Sequence, residues 1–216
     1  MNIITKKVTL LPAPFVGTIL NVHIGEGLLY KIKSIGLAGG HEHLILNWGD
    51  GSEETYMSGL ANVEHRYSTP GDYRIRISDD TGVIGLSVSD ESSEYSTIYA
   101  PMLTGFYSNA KTLIRIAAHA FDNAVNMKCF DVSESSINAI LIAAFKNCRA
   151  LEGELRFPLV TNISGDNTNL PFQGCEKINA IRFSAARKEV LLSRAVFKEW
   201  ETTHLGAANA TVLFDL

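Results

Sequence analysis

A tryptophan and several acidic residues stand together in the stretch NWGDGSEETY, residues 47–56. Asp50, Glu53 and Glu54 carry oxygen atoms of the kind that bind calcium. A calcium loop, however, spaces its ligands as in Asp-x-Asp-x-Asp-Gly, whereas residues 50–54 are Asp-Gly-Ser-Glu-Glu. An Asp-Gly pair supplies the backbone conformations that a tight hairpin turn needs. The stretch therefore predicts a turn beside a buried tryptophan, and no metal site.

The histidines do not form a metal-binding pattern. In HEH, residues 41–43, a strand would place His41 and His43 on one face and Glu42 on the other, with no third ligand to complete a site. The spacing also differs from the helical HExxH pattern of zinc enzymes. For His65 we expect packing with a backbone hydrogen bond, and for His119 a surface position on a turn.

The three cysteines, Cys129, Cys148 and Cys175, form no CxxC pair, and their odd number leaves one outside any disulfide scheme. This pattern argues against a zinc knuckle and against a disulfide framework. Cys148 and Cys175 occupy equivalent positions of the repeat described below, so we expect small buried side chains whose thiols do not ionise readily. No histidine lies at a matching position to serve as the base of a catalytic cysteine.

Other catalytic signatures are also missing from the sequence. It contains no Gly-x-Ser-x-Gly, P-loop or GxGxxG motif, and GLAGG (36–40) indicates only a flexible loop. We therefore predict that the protein is not an enzyme. We predict no catalytic, cofactor-binding or metal-binding residues, and no cofactor.

Composition limits the kinds of partner. The 216 residues suffice for one large or two small domains, and 19 Lys and Arg against 23 Asp and Glu give a net charge of −4. Such a surface has no basic field to attract nucleic acid or anionic lipid. No apolar run approaches the roughly 18 residues of a membrane span. The N-terminal apolar run is broken by Thr9, Pro12 and Pro14, and we do not expect a secretory signal there.

The pattern of the first ninety residues differs from that of the rest. Between Thr18 and Ser89, short alternating stretches such as TILNVHI and YRIRIS are separated by turn residues, which favours an antiparallel sandwich. The Ser/Glu-rich stretch at 87–96 is expected to be a solvated surface connection. We accordingly predict one domain over residues 1–91 and a second over residues 92–216.

A repeat runs through the second half. Phe121, Phe145 and Phe172 are 24 and 27 residues apart, and each begins a series of apolar residues at intervals of about three. Tyr107 begins a compressed first copy. Periods of this length indicate a solenoid whose units each supply one short strand and one return segment. The last unit, residues 193–216, loses the apolar series and is expected to form a cap with a short helix and a closing strand.

The motifs of the two halves resemble two families. NWGDGS (47–52) and VEHRYSTPGDYRIRI (63–77) resemble the polycystic-kidney-disease-type (PKD) domain. That resemblance implies an immunoglobulin-like sandwich in which the tryptophan fills the core. AFDNAVNMKCFDV (120–132), AFKNCRALEGELRFP (144–158) and PFQGCEKINAIRF (171–183) resemble the BspA-like leucine-rich repeat. The chain departs from that pattern at Ala124, where cysteine is usual.

The expected fold class is mainly β with short helices: an N-terminal antiparallel immunoglobulin-like β-sandwich followed by a C-terminal leucine-rich-repeat solenoid. Both resemblances imply a cell-surface or extracellular adhesive role, with a protein or glycan as ligand. The expected function is therefore non-catalytic binding through the surfaces of the solenoid and the sandwich. The alternative is a structural subunit of a larger particle or an intracellular scaffold. The ligand, the compartment and the oligomeric state stay open at this point.

Overall fold

The structure is a computed structural model that describes residues 15–37, 43–57, 60–78, 82–91, 93–166, 168–194, 197 and 204–216. It is mainly β with a few short helices, as predicted. The strands of the described residues are β1 (Gly17–Ile24), β2 (Leu29–Leu37), β3 (His43–Asn47), β4 (Glu53–Met57), β5 (Leu60–Arg66), β6 (Gly71–Ser78), β7 (Val83–Ser87), β8 (Leu103–Ser108), β9 (Arg115–Ile116), β10 (Cys129–Asp131), β11 (Ala139–Ile140), β12 (Gly153–Phe157), β13 (Asn162–Ile163), β14 (Ile178–Phe183) and β15 (Thr211–Phe214). The helical segments are a π-helical turn (Tyr95–Tyr99), three 3₁₀ turns (Ala100–Met102, Ala185–Arg187 and His204–Gly206) and α1 (Lys188–Leu192).

Within the described residues, the strands form three sheets. The first has six strands in the order β10-β8-β1-β6-β3-β4, the second six in the order β13-β11-β9-β7-β2-β5, and the third three in the order β12-β14-β15. Pairs within β1–β7 are antiparallel, as alternating stretches such as YRIRIS predict. In β6, Ile75 and Ile77 are buried while Arg74 and Arg76 are exposed. Pairs among the later strands are parallel, which gives the second half a β-solenoid-like arrangement.

Both six-stranded sheets continue across the boundary predicted after residue 91. In the first sheet, β8 pairs with β1 on one side and with β10 on the other. In the second, β7 pairs with β9. One row of buried residues crosses this sheet, with each residue paired to the next on the neighbouring strand. The row comprises Ile35, Leu86, Ile116, Ile140 and Ile163. The apolar core is therefore continuous across the boundary, and the division into two domains stays a prediction.

The Ser/Glu-rich connection is solvated only in part: Glu91 and Glu94 are exposed, but other residues of the stretch are not. Ser87, Ser89, Tyr95 and Ser96 are all buried. The Tyr95 hydroxyl donates a hydrogen bond to Asn62 Oδ1 at 2.7 Å, and Lys33 Nζ lies 4.8 Å from the centre of the Tyr95 ring. The segment packs against β2 because the Tyr95 ring offers an apolar face, which the Lys33 side chain of β2 covers.

The predicted aromatic stack is present. The rings of Phe121 and Phe145 are stacked with centroids 5.3 Å apart, and those of Phe145 and Phe172 with centroids 5.0 Å apart. Each phenylalanine N–H donates to the next coil: Phe121 to the Ala144 carbonyl at 2.8 Å, and Phe145 to the Pro171 carbonyl at 2.7 Å. Each coil is therefore joined to its neighbour both by ring packing and by a main-chain hydrogen bond.

The series predicted to begin at Tyr107 is present in part: Ala110, Leu113 and Ile116 are buried, but Tyr107 itself is only half-buried. Phe106, rather than Tyr107, is buried and stacks on Phe130, with ring centroids 5.0 Å apart. Alternation along β8 explains this, because adjacent residues of a strand point to opposite faces.

The closing strand of the predicted C-terminal cap is confirmed: β15 pairs in parallel with β14. The short helix expected in the cap stays a prediction, because residues 195–196 and 198–203 lie outside the described residues.

Candidate binding surface

The acidic stretch forms the connection between β3 and β4, and its tryptophan is fully buried. The main-chain N–H of Trp48 donates to the Ser52 carbonyl at 3.1 Å, and the Trp48 carbonyl accepts a hydrogen bond from the Tyr67 hydroxyl, also at 3.1 Å. Gly49 has φ +85°, and a Cβ there would lie 2.7 Å from the Arg74 carbonyl oxygen. The expected turn beside a buried tryptophan is confirmed, and only glycine fits at residue 49.

His65 packs in the core as expected, but its polar partners are carboxylates rather than the backbone. Nε2 lies 2.8 Å from Asp50 Oδ2, and Nδ1 lies 3.0 Å from Glu54 Oε1. The ring stacks on Trp48 with centroids 4.8 Å apart, and only 9% of the side chain is exposed. β5 therefore brings His65 back onto the β3–β4 turn.

Ser52, His65 and Glu54 follow one another as the members of a hydrolytic triad do, with Ser52 Oγ 3.4 Å from Nε2. The arrangement does not fit general base catalysis. The ring nitrogen nearest the serine, Nε2, already has the Asp50 carboxylate as its partner at 2.8 Å. That nitrogen is therefore not placed to take the serine proton. Ser52 Oγ also donates to Asp50 Oδ1 at 2.5 Å. The group fastens the turn to β5.

This group predicts a loss of stability in acid. Burial alone would raise the pKa of Asp50, but hydrogen bonds from Ser52 and His65 outweigh it and lower that pKa to about 2. The pKa of Glu54 is also lowered, because hydrogen bonds from Tyr56 and His65 outweigh burial. In the unfolded chain these groups take up protons at a higher pH. The stabilisation from Asp50 is thus present above its unfolded pKa of 3.8 and is lost as the pH falls towards 2; that from Glu54 is lost as the pH falls below its unfolded pKa of 4.5.

Chemical denaturation between pH 2 and pH 7 measures this loss. A variant carrying Asp50→Asn and Glu54→Gln is the control, because both substitutions remove the titration and keep the size of the side chain. We expect a flatter profile below pH 4 for this variant than for the native chain. Parallel profiles would show that the contacts of His65 do not contribute.

The remaining histidines have different environments. His43 is exposed at the start of β3, while His41 and Glu42 lie outside the described residues. His119 was expected at the surface, but only 15% of its side chain is exposed. Its Nδ1 lies 3.0 Å from Asp122 Oδ2. Its left-handed backbone, with φ 54°, belongs to the tight turn that begins the coil. Burial raises the pKa of Asp122.

The cysteines at equivalent repeat positions are buried, as predicted. Cys148 Sγ donates to the Phe121 carbonyl at 3.2 Å, and Cys175 Sγ to the Phe145 carbonyl at 3.0 Å. Burial raises the pKa of the Cys148 thiol well above its usual value. Each thiol thus binds the preceding coil, a role that the spacing of the repeat could have indicated. In the part of the chain that the structure describes, no three His, Cys, Asp or Glu side chains are placed to hold a metal ion.

A charged surface covers the outward face of the third sheet. Its residues come from successive parallel strands: Glu154 and Arg156 from β12, Arg182 from β14, and Asp215 just after β15. Glu154 forms ion pairs with the Nε atoms of Arg156 and Arg182, each at 2.6 Å, and Arg182 also pairs with Asp215. Hydrogen bonds from the two arginines lower the pKa of Glu154, and the bond from Arg182 has the larger effect. The face is a surface of fixed charges.

A cavity of about 350 Å³ opens at the side of this surface, between β10 and β12. It is lined by Phe130, Asp131, Ser133, Glu154 and Arg156. Its size is within the range of ligand-binding clefts, and its lining offers both signs of charge and a hydroxyl. We call the four ion-paired residues and this cavity the strand-face site. The sequence motifs did not indicate it, because outward positions of a repeat vary in type.

None of the helices in the described ranges is long and apolar enough to cross a membrane. Comparisons of the chain with protein-family models, with curated proteins and with solved structures found no match.

Proposed function

We propose that this protein is a non-catalytic binding module that attaches to a protein or a glycan through the strand-face site. In finer detail, we propose an immunoglobulin-like sandwich of the PKD type joined to a BspA-like leucine-rich-repeat solenoid. The buried Trp48 beside its Gly-Asp-Gly turn supports the first part. The coil-to-coil stacking of Phe121, Phe145 and Phe172 supports the second.

The observation that carries the proposal is the geometry of the strand-face site. Parallel strands in register hold neighbouring side chains at a fixed spacing, so their charges form a constant pattern that a partner can match. Arg156 and Arg182 are directly opposite each other on β12 and β14. Arg156 has 57% of its side chain exposed and lies at the cavity, where it can form a two-point contact with a carboxylate or with sugar hydroxyls.

The environments of two histidines and of the two buried cysteines also favour binding over catalysis. His65 and His119 each face a carboxylate, and Cys148 and Cys175 are fully buried. A nucleophile must reach its substrate and lie beside a base that can accept its proton. None of these four residues meets both conditions.

A glycan array and a pull-down from host-cell extract would identify the ligand, and two variants would locate its site. Arg156→Ala and Asp131→Ala should each weaken binding about tenfold, as expected for the loss of a hydrogen bond to a charged group. The matched control is Arg74→Ala, which removes an exposed arginine from β6. If both variants bind as well as the native chain, the ligand does not bind at the strand-face site. Reversible self-association without any ligand would instead favour the structural-subunit alternative.

A further inference from the structure

The cavity of the strand-face site lies in a gap between two neighbouring coils. Within the described residues, β10 pairs with β8 alone and β12 with β14 alone, so the first and third sheets end opposite each other. Just before these strands, the Glu152 N–H donates to the Lys128 carbonyl at 3.3 Å, but no described main-chain hydrogen bond joins β10 to β12. The two coils are therefore neighbours that separate where the cavity opens.

The separation coincides with a β-bulge in β12. The pairing of β12 with β14 shifts register between Gly153 and Glu154, and Gly153 has φ +86°. Bulges bend a strand and end its pairing, and they are frequent next to functional sites. The facing edges of β10 and β12 thus bring backbone N–H and C=O groups to the cavity without main-chain partners. Such groups bind either water or a ligand that both donates and accepts hydrogen bonds.

Asp131 and Arg156 line this cavity from the two strands and have opposite charges, yet they form no ion pair with each other. The N–H and the hydroxyl of Ser133 both donate to Asp131 Oδ1, at 3.0 and 2.7 Å, so Oδ2 is an acceptor without a partner among the described residues. Arg156 binds Glu154 through Nε, and its two terminal amino groups have no partner there either. A ligand that joins the two side chains must therefore donate to one and accept from the other.

The charge balance of the site favours a neutral ligand. Three carboxylates, those of Asp131, Glu154 and Asp215, are present with two guanidinium groups, those of Arg156 and Arg182. An anion would meet a net negative charge, and a cation would meet two arginines. A hydroxyl group both donates and accepts. A ring that bears several hydroxyls therefore matches the carboxylate, the guanidinium and the unpaired strand edges together.

The lining does not match the centre of a protein interface. Such centres are built around large apolar or aromatic anchors that become buried on binding. None of the large apolar side chains that are exposed among the described residues lines this cavity. Its apolar residue, Phe130, is only 6% exposed, which suffices for contact with the C–H groups of a small ring. The lining is thus better suited to a sugar than to a protein side chain.

We propose that the strand-face site binds a neutral glycan, with one uncharged sugar ring inserted between β10 and β12. One hydroxyl of the ring donates to Asp131 Oδ2, and another accepts from the Arg156 guanidinium. The remaining hydroxyls bind the unpaired backbone groups of the two strand edges. This inference rests on the proposed function and narrows its ligand from a protein or a glycan to an uncharged sugar.

Nuclear magnetic resonance titration of the full chain tests the proposal. The probes are the methyl pyranosides of glucose, galactose, mannose and N-acetylglucosamine, with glycine and acetate as charged comparisons. We expect saturable shifts of the Asp131 and Arg156 amides with at least one pyranoside, and none with glycine or acetate. Because the sugar is uncharged, its affinity should be the same at low and at high salt, whereas salt would weaken the binding of a charged ligand.

Three variants complete the experiment. Asp131→Asn and Arg156→Gln should each weaken binding of the pyranoside about tenfold, because each removes a charged hydrogen-bond partner. Arg74→Gln, the control on β6, should not change it. The proposal is overturned if no pyranoside gives saturable shifts, if glycine or acetate shifts the same amides, or if both site variants bind the sugar like the native chain.

Failure of this inference can be distinguished from failure of the proposed function. A protein from the pull-down that requires Arg156, together with no binding of any pyranoside, would overturn the inference and leave the proposed function in place. Pyranoside shifts confined to another surface, together with unchanged binding of the pull-down or array ligand by the strand-face variants, would overturn both.

Discussion

Replacing Phe145 with alanine is expected to lower the free energy of unfolding by about 3–5 kcal/mol. The ring is fully buried and lies between Phe121 and Phe172, with Phe130 packed edge-on at 4.7 Å. Its loss would leave a cavity that touches two coil interfaces at once, and coils of a solenoid are stabilised mainly by their neighbours. Chemical denaturation followed by circular dichroism measures the change.

Phe197→Ala is the matched control for that substitution. The Phe197 ring lies near the C-terminal end of the solenoid, with its centroid 6.3 Å from those of Phe183 and Phe214. We expect a smaller loss, because these contacts are longer and lie at the end of the stack. Calorimetry of Phe145→Ala should also show one cooperative transition, since both six-stranded sheets cross the predicted boundary. Two separate transitions would show that residues 1–91 unfold independently, as the sequence alone suggests.

Trp48→Ala is expected to cost about 3–5 kcal/mol as well. The indole is fully buried, and the His65 ring stacks on it. The substitution therefore removes both core volume and the surface on which the imidazole stacks. Asp50 and Glu54 would then hold a ring with no fixed position. Thermal and chemical denaturation of the variant measure the combined effect.

Trp48→Phe separates these contributions. It keeps an aromatic face under His65 and leaves a smaller cavity, so it should recover part of the lost stability. If Trp48→Ala is as stable as the native chain, the tryptophan does not belong to a packed core, and the PKD-type sandwich proposed for this half is wrong.

Local patterns in the sequence were sufficient for the parts of the fold that depend on near neighbours. The turn after Trp48 follows from Asp-Gly chemistry, and the stack of Phe121, Phe145 and Phe172 follows from their regular spacing. Both features arise within one turn or one period, so the order of residues contains the necessary information.

Features that depend on distant pairing were not accessible in this way. His65 meets Asp50 only because β5 folds back onto the β3–β4 turn, and β8 lies beside β1 although some 80–90 residues separate them. The half-buried position of Tyr107 has a related cause, since adjacent residues of a strand lie on opposite faces of the sheet. The strand-face site combines outward residues of several coils, and their types follow no periodic rule.

The change from antiparallel to parallel pairing occurs at β8 in the first sheet and at β7 in the second, and it has a consequence for truncated forms of the chain. A fragment that begins after residue 91 would lose β1 and β7, the strands that pair with β8 and β9. β8 and β9 would then each expose an edge of unpaired backbone groups, to which other chains can pair in aggregates. The antiparallel strands thus protect the first coil, as a terminal repeat protects the end of other solenoids. The length of the solenoid could change by whole coils without affecting this junction, whereas the junction itself cannot be removed.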